Sequence, residues 1–282
     1  MYTAEFIADN GTSFKFDLSN NLVFDIDGLS GLNVDLKTAQ GARRIGESLQ
    51  ASSIKGTNLT IRGQIYQDIT KVKSKMQKAF PPFGSGRLIF QNKYYIYAYV
   101  KNTPKFSPSN NRGDFDLRLF APFPLFRKLK ENIFYIGQVI PMFSFPVTYS
   151  PTHQYGLKNP SKYINVFNDG DIKAAFTVNF STNSTSSNIT LTNLSTFAFL
   201  KLNGTITADE KIKIYYDTNN QLRCELIKKG KTTNILSWID EDSTLFELEI
   251  GDNLILASDE ADGANLVTTI IFNTAVASVY ED

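Results

Sequence analysis

Cysteine, histidine and tryptophan are nearly absent, with one of each in 282 residues. The single cysteine, Cys224, excludes a disulfide within the chain, and with the single histidine, His153, it cannot assemble a zinc site of Cys and His ligands. Any catalytic dyad or triad built on histidine rests on His153 alone. That residue lies in the loop-like stretch Ser150-Pro-Thr-His-Gln-Tyr-Gly156, where an exposed connecting residue is the plainer reading. Cys224 alternates with Leu222 and Leu226, the pattern of a small buried hydrophobe rather than a nucleophile. No run nears the roughly 18 apolar residues that a membrane span needs. Glu5 and Asp9 precede the first basic residue, Lys15, so a secretory signal is not expected. No cofactor, metal or membrane is implied.

What is present is a globular composition, 42% hydrophobic, and enough chain for two units that each bury a core. Heavy use of Phe (22) and Tyr (13), with much Asn, Lys and Ile, reads as the coding bias of an AT-rich genome. The same bias explains the sequons at Asn10, Asn58, Asn179, Asn183, Asn188, Asn193 and Asn203 as chance meetings of Asn with Ser or Thr. Net charge is +1, unevenly spread: residues 1–140 hold 19 Lys and Arg against 11 Asp and Glu, whereas residues 141–282 hold 10 against 17. Such a split marks either a nucleic-acid face or complementary docking between domains or subunits.

The first half reads as strands with one helix. Phe14, Phe16 and Leu18 alternate with Lys15 and Asp17, and Leu22 to Ile26 is a second apolar run. Leu59, Ile61 and Ile65 continue an alternating strand in which Gly63 marks a bulge or a close backbone contact. Lys37 to Glu47 shows neither period and reads as a mobile loop. Ile69, Val72, Met76, Ala79 and Phe80 share one helical face over residues 69–80, with Asp68 as N-cap and Pro81-Pro82 as the stop. Lys71, Lys73, Lys75 and Lys78 lie mostly off that face, as a solvated surface or a phosphate contact. Arg87–Phe90 and Tyr94–Val100 form a hairpin around Gln91-Asn92-Lys93. Its Tyr95, Tyr97 and Tyr99 project from one side, to stack on sugars or bases or to pack against neighbouring chains. Phe115, Leu117 and Leu119 give another strand, and six of the ten prolines between 121 and 162 mark the connection between domains 1–140 and 141–282.

From Tyr163 on, alternating runs at 174–180, 188–192, 196–202, 205–207, 211–216, 222–227, 235–238, 245–250, 253–257 and 266–272 predict a β-sandwich. Ser181 to Asn193, polar and Thr-rich, reads as a long hairpin tip. Phe246, Leu248 and Ile250 alternate with Glu247 and Glu249. Gly251-Asp252-Asn253 then turns the chain into a strand opening at Leu254, so the stretch reads as a β-hairpin.

Three features of this half stand in a telling order: Asn168-Asp-Gly-Asp171, then Gly204-Thr-Ile leading to Tyr216-Asp217, then the strand closing in Gly251-Asp-Asn253. Together they resemble the C-terminal domain of siphophage distal tail (Dit) proteins, with Asn168, Gly170, Asp171, Gly204, Asp217, Gly251, Asp252 and Asn253 as structural landmarks. The first half is similar to the family's N-terminal belt domain: one amphipathic helix, Pro-Pro, Gly86-Arg-Leu-Ile-Phe90, the tyrosine strand, then Ala121-Pro-Phe-Pro124. Pro124-Leu-Phe126 departs from the aromatic that often follows Pro-Phe in the family, which loosens the linker alignment by a few residues. The resemblance implies a mainly β protein, with a sandwich-like belt domain carrying one α-helix and a galectin-like C-terminal sandwich. It implies a hexameric ring at the distal end of a virion tail, joining the tail tube to the tail-associated lysin and the receptor-binding proteins, with a channel that DNA crosses without specific binding.

Three rivals stand beside this reading. A carbohydrate-binding adhesin needs an aromatic platform, and Trp238 in Ile235-Leu-Ser-Trp-Ile239 fits a core better. An enzyme or Ca²⁺ site would draw on Asp240-Glu-Asp242 or Asp259-Glu-Ala-Asp262, neither with EF-hand spacing. Direct DNA binding by the basic half has no recognised motif behind it.

Overall fold

The computed structural model describes residues 3–41, 45–108, 112–137, 139–141, 156–158, 162–217, 221–261 and 265–280. The chain forms two compact units, one of residues 1–130 with 275–282 and the other of residues 131–274. The expected division at 140/141 falls in 138–161, where two short paired strands are described.

The first unit runs β1 (Ala4–Ala8), β2 (Ser13–Phe16), β3 (Leu22–Asp27), β4 (Val34–Ala39), β5 (Ser48–Ile54) and β6 (Thr57–Ile65). Then come α1 (Ile69–Ala79), β7 (Ser85–Phe90), β8 (Tyr94–Phe106), β9 (Asp114–Ala121) and β10 (Phe126–Lys128). The main antiparallel sheet has the order β2-β1-β7-β8-β9-β6-β3, with β10 on β8. Its two edges meet: the rings of Phe16 on β2 and Phe24 on β3 are 5.5 Å apart. Alternation decides which side is dry. Leu59, Ile61 and Ile65 of β6 and Phe115, Leu117 and Leu119 of β9 are all buried. Gly63 marks a close backbone contact and not a bulge. The ladders to β3 and β9 run through it in register, and a Cβ there would lie 2.2 Å from the Val23 carbonyl oxygen.

Helix α1 buries Val72, Met76 and Ala79, with Phe80 closing its end. Phe80 stacks on Phe6 at 4.5 Å between centroids and lies 6.3 and 5.9 Å from Phe14 and Phe16. Phe80→Ala is expected to lower stability by about 3–5 kcal/mol, read as the shift in denaturant midpoint, because the cavity opens in the centre of an aromatic cluster. Asp68 corrects an expectation. It occupies the N-cap position, but its backbone is left-handed (φ 53°) and its carboxylate makes no capping bond. A side-chain cap requires extended φ/ψ, and here only the Asp68 carbonyl serves the helix, accepting from the Val72 N–H at 2.9 Å.

Lys37 to Glu47 is not a loop throughout. Lys37–Ala39 belong to β4, which pairs with β5 in a separate two-stranded ribbon. Neither face of the ribbon is buried, so no period of two is written into its sequence.

The second unit runs β11 (Asn132–Ile136), β12 (Val139–Pro141), β13 (Gly156–Lys158), β14 (Tyr163–Asn168), β15 (Thr177–Thr182) and β16 (Thr185–Ser187). It continues with β17 (Thr190–Asn193), β18 (Ala198–Lys201), β19 (Thr205–Thr207), β20 (Glu210–Tyr216), β21 (Leu222–Lys228) and β22 (Lys231–Asn234). β23 (Gly251–Ser258) and β24 (Leu266–Phe272) complete it. A last strand, β25 (Ala275–Val276), pairs with β10 in the first unit. Two sheets, β11-β24-β15-β20-β21-β22 and β14-β23-β17-β18, form a sandwich around one core that includes Phe180, Leu191, Ile212, Ile255 and Ile270.

Three expectations fail in this unit. Residues 245–250 form no strand and contribute only the single bridge Ala174–Leu248; Gly251-Asp252-Asn253 is the start of β23, not a turn. The alternation is real, since Phe246 and Leu248 face the core, but the backbone groups of Glu249 are taken by the Asn253 side chain. Leu236–Trp238 is a 3₁₀ turn following β22, with Leu236 exposed where a strand register would bury it. Ser181–Asn193 is not a free tip: β16 pairs with β19, and β17 lies between β18 and β23.

Candidate assembly surfaces and the asparagine network

No residue of the β4–β5 ribbon is fully buried, and every residue of β5 is exposed. Its large apolar side chains nevertheless face water: Val34, Leu36 (58% exposed), Leu49 (60%), Ile54, and Ile45 between the strands. Val34 and its cross-strand partner Ile54 share a face with Leu36. A lone two-stranded ribbon is marginal in water, and clustered exposed hydrophobes are a feature of interaction surfaces.

A second exposed face lies on β7 and β8. Gln91 and Asn92 both take left-handed backbone angles, closing the hairpin as a primed turn. Tyr95, Tyr97 and Tyr99 line its outer side, opposite buried Ile96 and Ala98. They are not loose: Tyr97 packs edge-on against Tyr99 at 5.6 Å, Arg87 lies over Tyr95 at 5.9 Å, and the Tyr97 hydroxyl donates to Asp9. The Ser85 hydroxyl (2.6 Å) and that of Tyr97 hold the Asp9 carboxyl below the usual range.

In the second unit the landmarks separate into one cluster and two outliers. Asn168 lies opposite Gly251 in the β14–β23 ladder and Val166 lies opposite Asn253, which brings the 168–171 and 251–253 groups side by side. Asn168 and Asn253 are fully buried, as is Asn193, which the sequence reading missed as a structural residue. The Asn253 amide nitrogen donates to the carbonyls of Glu249 (2.8 Å), Gly251 (3.1 Å) and Val166 (3.3 Å). Its oxygen accepts from the Glu249 N–H (2.8 Å) and the Asn193 side chain (3.1 Å). Asn168 donates to the Ile172 carbonyl (2.9 Å) and accepts from the Gly170 N–H (3.1 Å). Gly251 has φ +86°, a conformation that glycine adopts freely. Asp252 is exposed and accepts from Asn165 at 2.6 Å, while Asp171 lies exposed beyond the cluster. A buried, hydrogen-bonded Asn193 leaves no room for a glycan at that sequon.

Gly204 and Asp217 lie elsewhere. A Cβ on Gly204 would stand 2.1 Å from the Trp238 ring, so the glycine makes room for a half-buried tryptophan packed on the core. Asp217 closes the β20–β21 turn, accepting from Arg223 Nε at 2.8 Å and from the Gln221 N–H.

The sandwich faces differ in character. Lys213 and Glu225 are neighbours on the outer side of the six-stranded sheet. The outer side of the four-stranded sheet carries the row Tyr163–Leu256–Thr192–Phe199, with Phe167 (53% exposed) further along β14.

Among the described residues, no three His, Cys, Asp or Glu side chains lie close enough to hold a metal ion, and no helix is long and apolar enough to cross a membrane. The Asn203 side chain, the Asp242 N–H and Lys201 hold the Asp240 carboxyl below its ordinary value, which suits a structural anchor and not a proton donor. His153 lies outside the described residues. Burial pushes the Cys224 thiol up to about 12. Cys224 is therefore expected to resist iodoacetamide in the folded protein at pH 8 and to react fully once unfolded in guanidinium; rapid native labelling would show that β21 opens.

Among the described residues the chain is thus two β units, the first with a single α-helix and an exposed ribbon, the second a sandwich with a buried asparagine network. Residues 169–275 match the model of the siphovirus-type tail component, C-terminal domain. The fold is similar to that of the Dit protein of phage SPP1, described as a paradigm of the hub adsorption apparatus in phages infecting Gram-positive bacteria. The TM-score is 0.68 and the identity 13%, over 98% of this chain and 99% of that one. A chain of the phage P2 baseplate in its activated conformation with Ca is similar at TM-score 0.52 and 12% identity, over 99% of each. No curated protein matches. Residues 169–275 thus match the C-terminal domain of a siphovirus-type tail component, and the fold of the chain is similar to that of Dit along its length.

Proposed function

We propose that this chain forms a ring at the distal end of a siphophage tail. The ring joins the tail tube above to the tail-associated lysin below, and it leaves a central passage for DNA that is not gripped. The observation that carries the reading is the β4–β5 ribbon, whose exposed Val34, Leu36, Leu49 and Ile54 have no cover among the described residues. The first unit makes the ring, and six copies follow from the Dit resemblance. The second unit offers the apolar outer face of its four-stranded sheet to receptor-binding proteins. The role is structural, without catalysis or cofactor.

Negative-stain microscopy and multi-angle light scattering of the purified protein test this. Closed rings are expected, either alone or on mixing with tube and tail-associated proteins. A chain that remains monomeric under both conditions overturns the reading.

A further inference from the structure

We propose that the lysine ridge of α1 docks on an acidic strap, residues 240–249, of a second copy of this chain. The inference rests on the self-assembly reading above and names one contact within it.

Helix α1 holds four lysines and no acidic residue. Lys73 is occupied, lying 5.5 Å over the Phe106 ring and donating to the Ser107 carbonyl at 3.4 Å. Lys71, Lys75 and Lys78 recur at i, i+4 and i+7, so they form one exposed row away from buried Val72 and Met76. Among the described residues none of the three forms an ion pair. Lys75 and Lys78 border an open cleft of about 380 Å³ against β2, which Lys15, Ser13 and Asn20 also line. Like charges at this spacing repel, and the helix offers nothing to offset them. The cleft is wide and basic, fitted to an acidic surface laid across it.

The chain carries such a surface in its other unit. Residues 240–249 contain five acids and no base. Asp240 is held by Lys201 at 3.1 Å and Glu249 by Lys173 at 2.7 Å. Glu241, Asp242 and Glu247 are exposed and, among the described residues, form no ion pair. Ridge and strap therefore present three exposed charges each, of opposite sign and outside any ion pair, although Glu247 also lies within electrostatic reach of Lys173. They are two different patches on one chain, so the contact is head-to-tail, and it adds to the contacts by which the first unit makes the ring. A contact of this kind steers assembly and weakens with salt.

Sedimentation velocity on three proteins decides the matter: the wild type, K71E/K75E/K78E, and E241K/D242K/E247K, each checked for folding by circular dichroism. Each reversed variant is expected to assemble at least about tenfold more weakly than the wild type. An equimolar mixture of the two is expected to regain assembly, because each reversed patch then meets its reversed complement on the other chain. Wild-type assembly with both variants unaffected, or a mixture that regains nothing, overturns the contact while leaving self-assembly intact. Duplex DNA binding that K71E/K75E/K78E abolishes without affecting assembly would reassign the ridge to a polyanion and also overturn it. A wild type that assembles neither alone nor on mixing with tube and tail-associated proteins overturns the self-assembly reading and this contact together.

Discussion

Asn253→Ala is expected to lower the melting temperature of the second unit by roughly 10–15 °C, corresponding to about 4 kcal/mol. Three features make the effect large. Asn253 is fully buried, so water cannot replace what is lost. Its side chain serves both backbone groups of Glu249, two further carbonyls and the Asn193 amide. The stretch it holds has only the Ala174–Leu248 bridge as ladder support, so the orphaned groups have no second partner close by. Asn253→Asp is expected to cost at least as much at neutral pH, since it replaces the amide donor with a buried charge. Calorimetry measures both. A midpoint for Asn253→Ala within about 2 °C of the wild type would show that packing alone holds residues 245–250.

Leu36→Ser with Leu49→Ser is expected to abolish self-assembly while leaving the monomer's melting temperature nearly unchanged. Both leucines are more than half exposed, so the folded monomer gains little from them. Covered by a neighbouring chain, each is worth about 1.5–3 kcal/mol. Their joint loss then weakens association by about two orders of magnitude or more. Light scattering over a concentration series reads the association, and thermal melts read the fold. A variant that assembles like the wild type would remove the ribbon from the interface; one that melts well below it would show that the ribbon packs on its own unit.

The elements legible from sequence are those with one dry face. Leu59-Ile61-Ile65, Phe115-Leu117-Leu119 and Val72-Met76-Ala79 each state their period because burial on one side selected it. The β4–β5 ribbon and β22 have no dry side, so their strands carry no such mark. Residues 245–250 fail for the opposite reason. Their alternation records contact with the core, but a strand also needs a neighbour's backbone, and a side chain supplies that here. The 168–171 and 251–253 groups meet across one ladder, whereas Gly204 makes room for Trp238 and Asp217 closes a turn. Asn193 gave no signal, because a buried polar residue is recognisable only once its partners are in place.

The pairing of β25 with β10 governs the order in which this protein can be made. Val276 and Val279 are buried members of the first unit's core, yet they follow the whole second unit in the chain. On a ribosome the first 130 residues emerge early and must wait, their core short of its last two valines, until some 140 more have been synthesised. The second unit has all its strands before that point. The core of the first unit is therefore completed only after residues 131–274 have been synthesised, so the surface proposed above to meet a neighbouring copy is finished after the second unit has emerged.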